Sequence, residues 1–421
     1  MTEGLPFTAY APGTRLPRNS TAQYIEEYVD DCIEAGLVHT IHVSERRAFR
    51  SCRQRWHWAY EDDLHSIESI RALEFGSAYH RAMEVFYDPA TWHLDKFVLQ
   101  EHAIAEFKTF TQDTLARFQK LGMVDERLLA DFDDRLSSGE AMLRHYFAAI
   151  APITDTFEPV EIEIAFEVPL LDPDGNYLLC KCDRCRARVA SVNADLSGWI
   201  GLPVTIGGRL DVLFRIPGTD ILGVLDWKTA GVLMKDEELE FLEMDDQIST
   251  YLLAMHKLGL PAREFWYHEQ WKASPEPPEP YAGNRTIKGR KYQANKQLAT
   301  TYELYYETVS EGDPAGLAAG AYDEFLEWLK NEGPQFYQRT IAERNDAQLR
   351  NTELSIYLEY LDMISGRIYP NPSRKQCTWC NFFDPCLGKQ RGERYQHALN
   401  SMFVKGGREM SNDANLPKAA R

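Results

Sequence analysis

The chain has 421 residues, 44% hydrophobic and 12% aromatic, enough apolar material for one large domain or two ordinary ones and too much for global disorder. Its net charge of −18, from 64 acidic against 46 basic residues, argues against a protein that coats nucleic acid non-specifically, yet leaves room for an enzyme with a local basic groove. No window approaches the roughly 18 consecutive apolar residues of a membrane span. The opening MTEGLPFTAYAPGTRLPRNS lacks the basic stretch and apolar run of a secretory leader, so a cytoplasmic protein without membrane association is expected.

Residues 1–40 read as an irregular Pro- and Gly-containing arm followed by a helix from Thr21 to about Gly36, on which Tyr24, Tyr28 and Cys32 recur every fourth position. Residues 41–150 read as helical, with a start near Ser44 ahead of RAFRSCRQRWHWAY and amphipathic stretches such as AYHRAMEVFY and AMLRHYFAAI. The pattern changes at Pro159, and residues 151–275 form the expected catalytic core. VEIEIAFEVPLL alternates like a half-buried strand, LPVTIGGRLDVLFRI and DILGVLDWKT form a hairpin across PGTD, MDDQISTYLLAMHKLG is a helix ending near Gly259, and EFWYHEQW is a further strand. Residues 276–300 are a Pro-rich and then basic loop. Residues 301–403 read as helical, interrupted at GDPAG and EGPQ, and close on a compact cysteine-bearing segment; 404–421 is a polar tail. Helices flanking a central mixed sheet make an α/β (α+β) enzyme the expected class.

Charge inside the apolar strands is the first chemical signal. Asp211 interrupts RLDVLFR, and Asp226 and Lys228 interrupt GVLDWKT. Burying such groups is unfavourable unless they pair or bind a metal. Two residues apart on a strand, Asp226 and Lys228 share a face, and with Asp211 on the adjacent strand they can converge on a hard cation such as Mg²⁺ or Mn²⁺. A buried Asp–Lys ion pair is the plainer alternative. Gln247 and Tyr251, four apart on the following helix, can reach the same point, as can His80 in EFGSAYHRAMEVFY, although a lone histidine there is also compatible with a satisfied core position.

In this order, Gly76-x-x-x-His80, Gly208-x-x-Asp211, Asp226-Trp227-Lys228 and Gln247-x-x-x-Tyr251 resemble the motifs of the RecB-like branch of the PD-(D/E)XK nucleases, which includes the RecB and AddB nuclease domains and related CRISPR-associated and phage exonucleases. The resemblance runs from about Ser44 to Cys386. It implies a restriction-endonuclease-like core, His80, Asp211, Asp226 and the Trp227 carbonyl as metal ligands, Lys228 positioning or activating the attacking water, and Gln247 and Tyr251 supporting the lysine and the DNA. Glu163 is expected to face solvent, with a water-mediated metal contact as the alternative.

Eight cysteines complete the picture. Cys377, Cys380 and Cys386 follow C-x2-C-x5-C, and three such thiolates call for a fourth ligand. Cys52 resembles the early cysteine of the iron–sulfur members of the same branch, so the resemblance implies a 4Fe-4S cluster held by Cys52, Cys377, Cys380 and Cys386; spacing alone fits four-cysteine zinc equally. Cys180, Cys182 and Cys185 form a separate group, either free thiols or a zinc site completed by Cys32 or a histidine, with Arg184, Arg186 and Arg188 beside it suited to DNA contact. Two basic clusters, Arg46, Arg47, Arg50, Arg53 and Arg55, and Arg285 to Lys296, are further candidates for phosphate binding, and Trp56, Trp58 and Tyr60 for stacking on a single strand.

The expected function is a Mg²⁺- or Mn²⁺-dependent DNA exonuclease acting on single strands or duplex ends, in recombination, repair, or phage or CRISPR DNA processing. No GxxxxGK[ST] motif occurs, so a helicase or recombination partner would be another chain. The rivals are a non-catalytic DNA-end binding subunit, a zinc-stapled nuclease, and an RNA-processing enzyme of the same fold. Strand polarity and oligomeric state are not written in these motifs.

Overall fold

A computed structural model describes residues 21–120, 124, 126–192 and 199–405; the arm at 1–20 and the tail beyond 405 lie outside the described residues. Helix α1 (Thr21–Glu34) buries Tyr28 and Cys32 completely and leads through Gly36, at φ 65°, into strand β1 (His39–His42). β1 has no counterpart in the sequence reading, because four residues are too few for a period of two to stand out. Helix α2 (Val43–Ser51) starts one residue before Ser44 and stops where Cys52 becomes extended (φ −164°, ψ 113°). The chain resumes in α3 (Arg53–Trp56) and a π-turn over His57–Glu61, then β2 (Leu64–Ser66). Trp56 and Trp58 are buried, which assigns them to the core rather than to a strand-stacking surface.

The expected amphipathic helices follow as α4 (Ile67–Phe86), α5 (Lys96–Lys120) and α6 (Glu126–His145), with a short α7 (Ala151–Thr154). The sheet region comprises β3 (Glu158–Pro169), β4 (Leu179–Cys180), α8 (Asp183–Val192), β5 (Leu202–Arg215), β6 (Leu222–Ala230), α9 (Asp236–Glu240), α10 (Asp246–Lys257) and β7 (Glu264–Trp271). Asp245 caps α10 by accepting from the Gln247 and Ile248 amides at 2.8 and 3.1 Å. A satellite bundle of α11 (Tyr302–Gly312), α12 (Pro314–Ala318) and α13 (Asp323–Glu332) packs around Tyr305, Tyr322 and Phe325.

Next comes β8 (Tyr337–Glu343), which overturns the helical reading of this stretch: it pairs antiparallel with β7 from Gln270 opposite Tyr337 to Glu264 opposite Glu343. As an edge strand it buries only Ala342, so no apolar alternation betrays it. The chain finishes with α14 (Asp346–Ile364), α15 (Arg374–Cys377), α16 (Phe383–Gln390), α17 (Tyr395–Met402) and β9 (Phe403–Lys405). β9 pairs with β2 and stacks Phe403 on Phe382 at 4.4 Å, so the start of the polar tail is built into the fold.

The central sheet has the order β1-β5-β6-β7-β8, with β3 and β4 also on β5; β1–β5 and β6–β7 are parallel and the other pairs antiparallel. One face packs Ile206, Leu210 and Val224 against residues of α1, α10 and α14, and the other packs Val212, Phe214 and Trp227 against Phe86, Phe107 and Tyr146 of the α4–α6 region. This is a mixed α/β fold with helices on both faces of the sheet. Among the described residues, no helix is long and apolar enough to cross a membrane.

Candidate active site

β5 organises the site by changing partners. Along one edge it pairs with β3, from Arg215 opposite Glu158 to Thr205 opposite Pro169. Its other edge is shared: β1 pairs with it as far as His42 opposite Gly207, and β6 begins at Leu225 opposite Val212. Residues 208–211 lie in the fork between these partners. Asp211 is the first residue beyond the β6 ladder, and its Oδ2 accepts the Trp227 N–H at 2.7 Å, satisfying a backbone donor where the strands part. Gly208 opens the same fork: a Cβ there would come within 2.5 Å of Phe166 and 3.2 Å of Tyr251. Only a glycine lets those rings pack beneath the site.

Five more residues named from the sequence converge here. His80 on α4 places Nδ1 3.4 Å from Asp211 Oδ1. Lys228 Nζ lies 2.5 Å from Asp226 Oδ2, confirming that the two share a face of β6. Gln247 Nε2 donates to Asp226 Oδ1 at 3.0 Å. Tyr251, one turn further along α10, is buried beside them. Trp227 points its side chain the other way, into the core against Tyr87 at 5.0 Å, leaving its backbone at the fork.

Glu163 departs from the solvent-facing position expected of it. The flanking pairs, Ile162 with Val212 and Ile164 with Leu210, put it across from Asp211, and its backbone takes a left-handed φ of 50°. That conformation is unfavourable for a residue with a Cβ and is found where a site demands it. One ligand atom each from His80, Glu163 and Asp211 lies within 4.8 Å of the others, a spacing that could hold a metal ion. The alternation of VEIEIAF points this glutamate outward, so nothing in the sequence separates it from Glu161.

The electrostatics are those of an acidic site held together by two partly buried cations. Burial works against the His80 imidazolium, but Asp211 beside it more than compensates and holds it up at about 9. Burial, then repulsion from Asp211 and Glu84, lifts Glu163 to about 7 against the opposing pull of Arg209, whose Nη1 is 3.0 Å away. Burial also raises Asp226, to about 6, against the opposing charge of Lys228. Asp211 stays below the usual carboxylate range, because His80 and Lys228 outweigh its burial.

A cation binding here must displace protons from His80 and Glu163. Its affinity is therefore expected to rise between pH 6 and pH 8, by up to about tenfold per pH unit for each proton released, as titration calorimetry in buffers of different ionisation enthalpy will show. The same shifts set stability. With its folded pKa near 7 against an ordinary 4.5, Glu163 favours the fold below about pH 4.5, and that contribution is lost as the pH rises through 7. The metal-free protein should lose stability over this window, and Glu163→Gln should lose about 1–2 kcal/mol less, measured by urea unfolding at pH 5 and pH 8.

The first basic cluster does not form a phosphate groove. Arg46 is buried and pairs with Asp246 at 2.9 Å and Glu359 at 2.5 Å, Arg50 pairs with the same two acids, and Arg53 pairs with Asp362 at 2.9 Å. Arg47 stays half exposed, 3.6 Å from Asp245 at the cap of α10. In the second cluster Arg285 and Lys288 are exposed, while Lys296 lies over Trp328 at 5.1 Å.

Two acids and a lysine meet where the strands of a mixed sheet part, joined by a helix-borne histidine. Residues 40–386 match the PD-(D/E)XK nuclease superfamily, and the chain belongs to that superfamily. No match was found among curated proteins.

Proposed function

We propose that this protein is a divalent-metal-dependent DNA exonuclease of the RecB-like, iron–sulfur branch of its superfamily. The observation that carries the nuclease reading is the meeting of His80, Asp211, Asp226 and Lys228 at the β5–β6 fork. His80, Asp211, Asp226 and the Trp227 carbonyl would hold Mg²⁺ or Mn²⁺, with Glu163 as a further carboxylate. When bound, such an ion supplies Lewis-acid stabilisation of charge on the phosphate and acidifies water. Lys228 then orients the attacking water and the scissile phosphate, kept protonated by Asp226 and Asp211 against the pull of burial. Gln247 fixes the Asp226 carboxylate, and Tyr251 and Phe166 support the floor. Arg47, Arg55, Arg285 and Lys288 are exposed cations available to the DNA backbone.

The iron–sulfur part rests on a second group. Cys52 accepts a hydrogen bond from the Asn371 amide and Cys377 one from the Ser373 amide, each at 3.4 Å, the backbone donation that cluster sulfurs receive. Burial, then the charges of Cys52 and its neighbours in the group, raises the Cys380 and Cys386 thiols, as expected of four sulfurs around one space. Cys52→Ser is expected to abolish brown colour and acid-labile sulfide and to destabilise the fold by up to about 6 kcal/mol, the loop-closure value for such a span.

The test is digestion of end-labelled linear single strands, linear duplexes, closed circles and RNA with Mn²⁺, Mg²⁺ or EDTA. Metal-dependent loss of linear DNA with circles spared supports the proposal. Cleavage of circles argues for an endonuclease, preference for RNA overturns the DNA assignment, and no cleavage of any substrate points to the binding-subunit alternative.

A further inference from the structure

A second group of metal-ligating side chains lies away from the fork and from Cys52. Cys180 ends β4, fixed there by its pairing with Leu202 of β5. Cys182 and Cys185 follow in a turn that opens α8, with the Arg186 amide donating to the Cys182 carbonyl at 3.0 Å. From a distant part of the chain His39, the first residue of β1, brings Nδ1 to 3.1 Å from Cys185 Sγ and 3.9 Å from Cys182 Sγ. Cys182 and Cys185 sulfurs are 3.4 Å apart, too far for a disulfide at about 2.05 Å, and all four ligand atoms lie within 4.8 Å of one another. A tetrahedral ion with Zn–S near 2.3 Å and Zn–N near 2.0 Å sets its ligand atoms about 3.5–3.8 Å apart.

We propose that His39, Cys180, Cys182 and Cys185 form a closed, structural zinc site that pins the insertion between β3 and β5 to the first strand of the sheet. Three soft thiolates and an imidazole in a tetrahedral arrangement select zinc over the hard cations suited to the fork. Four protein ligands fill a tetrahedral shell and leave no position for a substrate or an exchangeable water, which separates it from a catalytic zinc. Tyr360 of α14 supplies an outer contact, its ring meeting His39 edge-on at 5.8 Å. Cys32, the other fourth ligand considered from sequence, is buried on the inner face of α1 beside Tyr28 and stands outside the group.

The neighbouring arginines fit this role and not the DNA-contacting one expected of them. Arg188 donates to the carbonyls of Val38 and Gly36 at 3.0 and 2.7 Å, Arg184 to Glu61 at 3.1 Å, and Arg186 lies over Trp199 at 5.9 Å. Arg184 and Arg188 clamp the insertion to the body of the protein, and Arg186 packs within the insertion itself. The zinc site would therefore hold the start of the β1–α2 segment whose end is Cys52, and fix how α2 lies against the cap of α10. The site stands on its own side chains and does not depend on the nuclease reading.

Full-length protein produced with zinc in the medium should carry about one zinc per chain, unchanged in Cys52→Ser and reduced to below about a tenth in Cys182→Ser and in His39→Ala, with iron content unchanged in the last two. X-ray absorption at the zinc edge of wild-type protein needs no variant and should show three sulfurs at about 2.3 Å and one nitrogen at about 2.0 Å. If Cys182→Ser does not fold, His39→Cys should keep the zinc and convert its shell to four sulfurs. A wild-type protein that holds no zinc and gives no thiolate–Co²⁺ absorption on titration overturns the proposal. So does a wild-type shell of four sulfurs, which places zinc at the Cys52 group, or iron in place of zinc at the His39 group.

Discussion

Lys228→Ala is expected to lower DNA hydrolysis by about 10³-fold, within the range for loss of a positioned proton-transfer or charge-stabilising group, while the protein stays folded and still binds Mn²⁺. Lys228 Nζ is held 2.5 Å from Asp226 by a carboxylate that Gln247 fixes from the other side. Removing the ammonium takes away a positive charge that repels a bound cation, which should tighten metal binding rather than weaken it. That opposite movement of affinity and rate separates a catalytic role from a structural one. Single-turnover cleavage with saturating Mn²⁺ reads the rate and calorimetry reads the affinity. A tenfold or smaller loss of rate, or a parallel loss of metal affinity, contradicts the assignment.

Arg46→Met should strongly destabilise the fold without touching either group of cysteines. The guanidinium is 1% exposed and bridges Asp246 of α10 and Glu359 of α14 while donating to Thr250 Oγ1 at 3.2 Å. Removing one partner of a buried ion group leaves its counter-charges uncompensated and typically costs 3–5 kcal/mol. Arg50 pairs with both acids but is 42% exposed, so it recovers only part of that. Loss of about 3 kcal/mol or more in urea unfolding is expected. A loss under 1 kcal/mol would mean that Arg50 alone neutralises the pair. The double substitution Asp246→Asn with Arg46→Met should be milder than Arg46→Met alone, since it removes a stranded charge along with its partner.

This arginine also marks how far the sequence can be read. Asp211, Asp226 and Lys228 stand out because charge inside an apolar strand is conspicuous, and Gln247 and Tyr251 follow from helical spacing together with the resemblance of their motif. Lone residues whose role depends on a distant partner do not stand out. Arg46 reads as one of five cations for phosphate, and only the packing of α2 against α10 and α14 shows that it is spent on Asp246 and Glu359. Glu163 is hidden by a regular alternation that its left-handed backbone breaks. His39 is hidden because its cysteine partners lie some 140 positions away (|i−j| 143 and 146), joined to it only by the pairing of both β1 and β4 with β5. Strands β1 and β8 escape notice for a related reason: one is too short and the other too polar to show a period.

The most direct test of the fork is a crystal of the protein grown with Mn²⁺ and examined for anomalous scattering. A manganese peak within bonding distance of His80, Asp211 and Asp226, beside the Trp227 carbonyl and in reach of Glu163, is the predicted result. Strong manganese sites elsewhere, with these residues keeping only their ion pairs to one another and to Lys228, would contradict it.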